Sequence, residues 1–326
     1  MKSCWIRTAN EKTTLEFRDV PAPQPRPGEI VLRVRAAGLN RGQLIVGSVM
    51  HGGALKLGGT EAAGEVCALG EGVTGVKVGD RVMGRALGQG RGTFAEYAAL
   101  DARQAMPVPP RLTWEEAAAI PVSFLVTYDA LFPYGQLKRG EWLLVIGASS
   151  GAGVASIQTG TLLGARVIGT SGSAEKLRKL EAIGLDVGIQ TRAPDFAARV
   201  KEATGKGADL AVNCVGGSVF SECMRSLAHG GRLATVGYVD GVYQAGIDLQ
   251  ELHASRHVVF GVSNTRLSDE QQAETARGFV RDVLPAFADG RITPVIDRVF
   301  SFDELPAAKD YMESNAQVGK IVVRIP

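Results

Sequence analysis

The stretch WLLVIGASSGAGVASIQ (residues 142–158) joins an apolar run to helical sequence through a turn rich in glycine. Gly147, Gly151 and Gly153 lie in or just after that turn. A tight turn needs residues that accept positive φ, and a pyrophosphate can approach a backbone only where side chains are absent. The N–H groups at the start of the following helix then bind the anion. The stretch therefore predicts the first strand and helix of a dinucleotide-binding domain.

Apolar strands and helical segments alternate after this turn. Near-continuous apolar strands are typical of a parallel sheet that is buried on both faces. With residues 142–146 the predicted strands number six, which suffices for a complete doubly wound domain. The other predicted strands are RVIGT (166–170), VGIQ (187–190), DLAVNCV (209–215), RLATV (232–236) and HVVFGVS (257–263).

The two ends of the chain have a different pattern. Residues 1 to about 118 consist of short strands and turns, such as EIVLRVRAAGL and TFAEYAAL. After about residue 266, one long helix, DEQQAETARGFVRDVLPAFADG, precedes strands that end in GKIVVRI. We expect this tail to pack onto the N-terminal part. The predicted domains are thus 1–118 with 266–326, and an inserted nucleotide-binding domain over 119–265.

The composition is that of an ordinary globular protein and argues against several function classes. The 326 residues carry a formal net charge of +2 without a basic cluster, so neither nucleic acid nor an acidic membrane surface is an expected partner. No apolar run reaches the length of a membrane span and the N-terminus lacks a signal peptide, so we expect a cytoplasmic location. The 4 cysteines contain no CxxC pair, which argues against a zinc finger.

The end of the second predicted strand indicates which dinucleotide binds. An enzyme that uses NAD carries an acidic residue there to bind the ribose 2′-hydroxyl. Here the sequence is GTSGSAEK (169–176), in which Ser171, Ser173 and Lys176 offer two hydroxyls and a cation to a 2′-phosphate. A solvated lysine on the face of a helix is the alternative for Lys176. NADPH is the predicted cofactor.

These segments and their order resemble the medium-chain dehydrogenase/reductase superfamily along essentially the whole chain. The matching text includes GLNRGQ, GGTEAAGEVCALGEGVTGVKVGDRV, GTFAEYAAL, IGASSGAGVASIQ, GARVIGTSGSAEKL, GGRLATVGYVDG and YMESNAQVGKIVV. The best match is the zinc-free branch of quinone oxidoreductases similar to zeta-crystallin. The resemblance implies an α/β fold with a GroES-like, mainly-β catalytic domain plus a six-stranded doubly wound Rossmann domain.

A short-chain dehydrogenase is a weaker interpretation. GASSGAG resembles the glycine fingerprint of that family, and Tyr134 and Lys138 fit its YxxxK pattern. In that family, however, the glycine loop lies near the N-terminus and the Tyr–Lys pair follows far downstream. The order is reversed here, so we interpret the YxxxK match as chance.

The resemblance also gives a reason to expect no metal. In zinc-dependent members of the superfamily, the stretch similar to GGTEAAGE carries His-Glu, and the one similar to GLNRGQ carries a cysteine ligand. This chain has Thr60 and Asn40 at those places, and a hydroxyl and a carboxamide bind zinc poorly compared with imidazole and thiolate. The stretch GRALGQGRGTF also lacks the cysteines of the structural zinc lobe. Glu61 is then expected as a retained carboxylate that supports the site or the fold.

Asn40 and His51 are the predicted catalytic residues. By resemblance, Asn40 lies at the floor of the cleft, near the nicotinamide and the acceptor. The alternative is that its amide only stabilises the backbone of a turn. The family usually has a tyrosine in the loop after this asparagine, and His51 occupies the corresponding place. A histidine there can donate a hydrogen bond or a proton to the reduced oxygen, whereas an exposed loop histidine is the alternative.

The predicted cofactor contacts extend along the chain, and most of them are implied by the resemblance. Arg192 is included because its neighbour Thr191 stands where the family often has a tyrosine against the adenine, so Arg192 is a candidate for the 2′-phosphate. The full set is Asn40, Thr127, Ser149, Ser150, Gly151, Ala152, Gly153, Ser171, Ser173, Lys176, Arg192, Gly237, Tyr238, Val262, Ser263, Asn315 and Lys320.

These features predict an NADPH-dependent, metal-free oxidoreductase that transfers a hydride to a quinone or a similar electron-poor acceptor. Alcohol oxidation is disfavoured, because no Lewis acid is expected to stabilise an alkoxide. The alternatives are an enone or 2-enoyl-thioester reductase, and a non-catalytic NADPH-binding protein. HVVFGVS would form an apolar edge of the sheet, and such edges pair with a second copy, so we expect a homodimer.

Overall fold

The computed structural model describes residues 1–9, 12–44, 55–86, 91–263 and 266–326. Within them the chain forms two compact units. The first unit comprises Met1–Leu125 and Leu267–Pro326, and the second unit comprises Val126–Arg266. The predicted catalytic residue His51 lies outside the described residues.

Strands and helices are numbered here along the chain. The strands are β1 (Lys2–Ala9), β2 (Lys12–Asp19), β3 (Glu29–Gly38), β4 (Lys56–Leu57), β5 (Glu61–Leu69), β6 (Arg81–Arg85), β7 (Tyr97–Asp101), β8 (Met106–Pro107), β9 (Trp142–Ile146), β10 (Arg166–Ser171), β11 (Val187–Gln190), β12 (Ala208–Asn213), β13 (Leu227–Thr235), β14 (Val258–Gly261), β15 (Ile296–Ser301) and β16 (Lys320–Arg324). The helices are α1 (Arg41–Leu44), α2 (Trp114–Ala118), α3 (Pro121–Leu131), α4 (Gly151–Leu162), α5 (Ala174–Glu181), α6 (Ala197–Thr204), α7 (Phe220–Arg225), α8 (Leu249–Ala254), α9 (Asp269–Asp282), α10 (Leu284–Ala288) and α11 (Leu305–Glu313).

The second unit is built on a sheet with the strand order β11-β10-β9-β12-β13-β14. All of these pairings are parallel. The chain starts at β9, builds one half of the sheet outward to β11, and then returns to build the other half from β12. Every residue of β9 is buried, as expected for an apolar strand that is covered on both faces. This is a doubly wound sheet, so the predicted α/β fold class is confirmed.

The largest difference from the predicted strands is in β13. The sequence predicts residues 232–236, whereas the strand runs over Leu227–Thr235. Ala208 of β12 is opposite Leu227, but Leu210 is opposite Arg232, so the register shifts between these pairs. A bulge in β13 therefore accommodates the intervening polar and glycine residues, which by themselves indicate the end of a strand.

The first unit contains a seven-stranded sheet, with the order β15-β16-β3-β5-β6-β8 and β7 paired to β3, and a three-stranded sheet, β2-β1-β4. Its core includes Ile6, Phe94 and Leu100, which are at most 1% exposed. The C-terminal strand β16 pairs antiparallel with β3, so that Val322 is opposite Gly38. The tail of the chain thus packs onto the N-terminal part, as expected from the sequence.

The single long helix predicted over 269–290 is wrong in one respect, because the structure divides it in two. Ser268 caps α9, and its side chain accepts a hydrogen bond from the N–H of Gln271. α9 ends at Asp282, and α10 begins at Leu284 with Pro285 in its first turn. Proline has no N–H to continue a preceding helix but is well tolerated in a first turn. Pro285 therefore accounts for the break, and the spacing of apolar residues does not reveal it.

Among the described residues the longest helix is α9, with 14 residues. Crossing a bilayer takes about 20 apolar residues. In this part of the chain, no helix has both the length and the apolar character for that.

Candidate active site

A glycine turn fixes the backbone at the start of β5. Gly59 has a φ of +86°, and a Cβ there would collide with Thr93 Oγ1. Glycine therefore accepts the positive φ at position 59 and leaves the space that the Thr93 side chain occupies. Gln43 also holds this residue, since its Oε1 accepts from the Gly59 N–H at 2.9 Å and its Nε2 donates to the Gly59 carbonyl at 3.2 Å. The backbone that leads into Glu61 is thus held on both sides of Gly59.

Glu61 is fully buried, and both of its carboxylate oxygens accept hydrogen bonds. Its Oε2 accepts at 2.6 Å from the N–H of Val122, in the first turn of α3, where a carboxylate is favourable. Its Oε1 accepts from Asn40 Nδ2 at 2.8 Å and from Lys320 Nζ at 2.6 Å. Gly38 provides the space for this oxygen, because a Cβ at position 38 would collide with it. The acidic residue of the glycine-rich stretch is therefore an internal anchor.

Lys320 supplies the positive charge beside this carboxylate. Its Nζ donates to Glu61 Oε1 at 2.6 Å, to the Leu39 carbonyl at 2.8 Å and to Asn40 Oδ1 at 2.9 Å. The lysine side chain is 7% exposed and the glutamate side chain 0%. An ammonium has three hydrogens, and these bonds use all of them. Removal of either partner would leave a buried charge without compensation, which is costly.

The amide of Asn40 is held in one orientation. Its Oδ1 accepts from Lys320, and its Nδ2 donates to Glu61 Oε1 and, at 3.0 Å, to Thr60 Oγ1. Exchange of the oxygen and the nitrogen would place a donor against the ammonium and an acceptor against the carboxylate, so the assignment is unambiguous. We refer to the side chains of Asn40, Thr60, Glu61 and Lys320 as the Glu61 cluster.

In the second unit, the glycine turn predicted to bind pyrophosphate connects β9 to α4. Gly147 has a φ of +78°. Ser150 caps α4 and accepts from the N–H of Gly153 at 3.0 Å. A Cβ at Gly153 would lie 2.5 Å from the Gly147 carbonyl oxygen, so glycine lets helix and strand approach closely. Burial raises the pKa of the nearby Cys214 thiol, which bonds to Ser150, to about 12, so this thiol stays neutral.

The residues predicted for the 2′-phosphate lie at the carboxyl ends of the adjacent strands β10 and β11. Ser171 ends β10, and Ser173 caps α5, where its side chain accepts from the Lys176 N–H at 3.3 Å. Arg192 follows β11 and lies against Gly172, since a Cβ on Gly172 would collide with the guanidinium. The fold thus gathers two serines, a lysine and an arginine at one edge of the sheet.

The other predicted contacts of the second unit mostly follow the carboxyl ends of its strands, the edge at which doubly wound sheets bind ligands. Thr127 differs, because it lies buried in α3, with its Oγ1 3.3 Å from Ser156 Oγ. Tyr238 is 42% exposed, and its ring packs edge-on against Tyr243. The rest are Ser149, Gly151, Ala152, Gly237, Val262 and Ser263.

Asn40, Asn315 and Lys320 are the predicted contacts that belong to the first unit. Asn315 follows α11 with a φ of +56°, and its Nδ2 donates to the Glu313 carbonyl at 3.1 Å. Asparagine is common in this conformation at the end of a helix. The structure therefore brings Asn40 and Lys320 into the Glu61 cluster, whereas Asn315 has a role in helix termination.

Sequence reasoning alone misses the partner of Glu61. It assigns Lys320 to the cofactor, whereas in the structure Lys320 is bonded directly to Glu61. The two residues are 259 positions apart in the sequence. No local spacing signals such a pair, because β16 reaches β3 only through tertiary strand pairing. Gln43 is missed as well, although its place beside Asn40 in GLNRGQ is a signal that could have found it.

The residues present fit a dinucleotide with a 2′-phosphate and do not fit zinc. The glycine turn before α4 leaves the backbone accessible, and Arg192 and Lys176 lie close to the end of β10, where the additional phosphate would bind. Across the described ranges, no group of three or more His, Cys, Asp and Glu side chains could hold a metal ion. In the Glu61 cluster the carboxylate is already neutralised by an ammonium, and the amide offers hydrogens. Such a donor set does not suit zinc.

Two family models match the chain. Zinc-binding dehydrogenase matches residues 151–278, and alcohol dehydrogenase GroES-like domain matches residues 26–110. The chain is 31% identical over 330 residues to the synaptic vesicle membrane protein VAT-1 homolog of Homo sapiens, a match that covers 96% of this chain and 83% of that protein.

Other relatives are much longer or have been solved as structures. The chain is 31% identical over 316 residues to a phenolphthiocerol/phthiocerol polyketide synthase of Mycobacterium tuberculosis, a match that covers 96% of this chain but only 14% of that protein. The quinone oxidoreductase of Thermus thermophilus, solved also in complex with NADPH, matches with a TM-score of 0.83 at 31% identity. That match covers 100% of both chains.

Proposed function

Because this chain belongs to the medium-chain dehydrogenase/reductase superfamily, we propose that it is an NADPH-dependent, metal-free oxidoreductase that transfers a hydride to a quinone or a similar electron-poor acceptor. The quinone oxidoreductase with its NADPH complex supports both the acceptor class and the cofactor. The polyketide synthase match leaves the acceptor class open to a second candidate.

The composition of the Glu61 cluster is the observation that carries this proposal. Thr60 and Asn40 stand where zinc-dependent members of the superfamily have ligands, and here they are bonded to each other and to a buried ion pair. The cluster can offer hydrogen bonds to an oxygen but not a Lewis acid. A quinone or an enone accepts hydride with that help alone, whereas an alcohol needs stabilisation of its alkoxide.

NADPH supplies the hydride in this proposal, and the second unit binds it. The first turn of α4 holds the pyrophosphate with its N–H groups. Ser171, Ser173, Lys176 and Arg192 hold the 2′-phosphate, because hydroxyls and cations suit that group and an acidic residue would repel it.

Asn40 and His51 act on the acceptor in this proposal. Asn40 is positioned by Lys320 and Glu61, which hold its amide from both ends. His51 is the second polar group and donates to the oxygen that gains charge during reduction.

The polyketide synthase match favours a second candidate, the reduction of an enone or a 2-enoyl thioester. That reaction also delivers a hydride to a carbon conjugated to a carbonyl group. It therefore uses the same residues and differs in the acceptor.

Steady-state oxidation of NADPH by the purified protein tests the proposal. The acceptors are ortho- and para-quinones, an enone and a 2-enoyl thioester, each with NADPH and with NADH. We expect a quinone to be reduced fastest, with NADPH preferred. A thioester as the best acceptor would replace the first candidate by the second. Tight NADPH binding without turnover of any acceptor would identify a non-catalytic binding protein.

A homodimer remains part of the proposal. β14 is the edge strand of the parallel sheet, and its Val258 and Val259 are 51% and 39% exposed. An apolar edge with free ladder positions favours pairing with a second copy. Light scattering at micromolar concentration should give twice the mass of the chain, and a monomeric mass would contradict this part of the proposal.

A further inference from the structure

The hydrogen-bond donors of the Glu61 cluster can be counted. Lys320 uses its three hydrogens on Glu61, Asn40 and the Leu39 carbonyl. The amide of Asn40 uses its two hydrogens on Thr60 and Glu61. Thr60 Oγ1 accepts from Asn40, and its own hydrogen has no acceptor among the residues that the structure describes. Of these side chains, Thr60 therefore holds the donor that is still available.

One chain of hydrogen bonds in the cluster runs from the ammonium to this hydroxyl. Lys320 Nζ donates to Asn40 Oδ1 at 2.9 Å, and Asn40 Nδ2 donates to Thr60 Oγ1 at 3.0 Å. Consecutive hydrogen bonds polarise one another, so a buried cation at the start of a chain strengthens the last donor. Thr60 is 8% exposed and Lys320 is 6% exposed, whereas Asn40 between them is partly exposed.

We propose that the Thr60 hydroxyl is the hydrogen-bond donor to the oxygen of the acceptor, and that Asn40 and Lys320 are positioning residues that orient and polarise it. This inference rests on the proposed function, which places Asn40 beside the acceptor. It also changes the role of Asn40, because an amide with both hydrogens in use is not the group that donates to the acceptor.

A hydride adds to the acceptor with its electron pair, and the displaced π-electron pair moves onto the acceptor oxygen. The Thr60 hydroxyl donates a hydrogen bond to that oxygen, and a proton from water completes the reduction. Because the bond strengthens as negative charge develops, it affects the rate of turnover and not the affinity for NADPH.

Thr60→Val tests this role, because valine keeps the branched shape and removes the hydroxyl. With a quinone or an enone we expect kcat to fall by about tenfold to a hundredfold, within the range for the loss of one such donor. The Kd for NADPH should stay within about twofold. Thr60→Ser, which restores a hydroxyl, should keep most of kcat. With NADPH deuterated at the transferred position, the isotope effect on kcat should rise in Thr60→Val, because hydride transfer becomes rate-limiting.

Thr93→Val is the matched control. Thr93 is fully buried near the same cluster, but its Oγ1 already donates to the Glu61 carbonyl at 2.9 Å. Removal of this hydroxyl should lower the melting temperature and leave kcat and its isotope effect unchanged. A fall in kcat of the same size in both valine variants would show a structural effect and overturn the assignment of Thr60.

Asn40→Leu separates the two possible donors. If the amide itself donated to the acceptor, Thr60→Val would keep its kcat while Asn40→Leu lost it, and the proposal would be wrong. If Thr60→Val does not fold, Thr60→Cys, which keeps the volume and donates weakly, decides between the same outcomes. A wild-type protein that reduces no acceptor contradicts the proposed function itself, and this result is seen before any variant is measured.

Discussion

The Glu61 cluster and the glycine turn before α4 are both polar sites at the ends of strands, but they are assembled in opposite ways. The turn is contiguous, since Gly147, Ser150 and Gly153 lie in one strand–helix connection and Ser150 accepts from the Gly153 N–H within it. The cluster joins the ends of β3, β5 and β16, and its ion pair spans 259 residues.

Substitutions at the two sites should therefore have different effects. A contiguous turn depends on local backbone geometry, so a change there should act mainly on what the turn binds. A cluster of distant residues depends on the pairing of whole strands, so a change there should act on the stability of the entire unit.

Lys320→Met should give the largest loss. It leaves the Glu61 carboxylate buried without its cation, and the loss of one partner of a buried ion pair costs about 3–5 kcal/mol. Urea denaturation measures the change in the free energy of unfolding. Arg324→Met is the control at the other end of β16, since its pair with Glu115 leaves the arginine 69% exposed, and it should change stability by no more than about 1 kcal/mol. Equal changes in the free energy of unfolding of the two variants would contradict the role given to the buried ion pair.

Lys176→Glu should weaken NADPH binding by about 1.5–3 kcal/mol, the range for hydrogen bonds to charged groups, and leave NADH binding nearly unchanged. The reason is repulsion between the new carboxylate and the 2′-phosphate. Titration calorimetry with both cofactors measures the two affinities. Arg178→Glu, an exposed position of the same helix α5, introduces the same charge change and should have little effect. A wild-type protein that binds NADH as tightly as NADPH would contradict the assignment.

Gly153→Ala should reduce NADPH affinity about tenfold and destabilise the protein by about 1–3 kcal/mol. The added Cβ would lie 2.5 Å from the Gly147 carbonyl oxygen, so either the helix or the strand must shift. Fluorescence titration and thermal unfolding measure both effects. Gly246→Ala is the control, because a Cβ there meets no atom within 4 Å. If the two alanine variants bind NADPH equally well, the turn does not hold the cofactor.

His51→Ala should lower kcat about tenfold, while His51→Tyr should keep much of the activity. A positioned acid is usually worth about a hundredfold or more, but an enolate or a hydroquinone that water can protonate needs less help. The pH profile of kcat should also lose a limb near the ordinary histidine pKa of about 6.5. An unchanged kcat and an unchanged profile would show that His51 has no part in turnover.

Treatment with EDTA should have no effect. The amide, hydroxyl and neutralised carboxylate of the Glu61 cluster do not suit zinc. Elemental analysis of the purified protein should find well under one zinc per chain, and activity should survive chelation. Stoichiometric zinc that turnover requires would make the metal-free proposal wrong.

Every strand of the second unit could be located from the sequence alone, although β13 is longer than predicted. The runs 142–146 and 187–190 predict β9 and β11 with their observed bounds, and the glycine turn between β9 and α4 is where the sequence places it. The physical reason is that strand propensity, glycine conformations and helix caps act among neighbouring residues. The sequence of a contiguous segment is therefore enough to predict its local structure.

Only the tertiary structure decided the partner of Glu61. The sequence marks Glu61 as unusual in its glycine-rich stretch, and it marks Lys320 beside an apolar strand, but neither residue specifies the other. The pair exists because β16 adds to β3 and because Gly38 leaves space for the carboxylate between them. Desolvation makes such a pair obligatory once both residues are buried, and burial is a property of the packed unit and not of any segment.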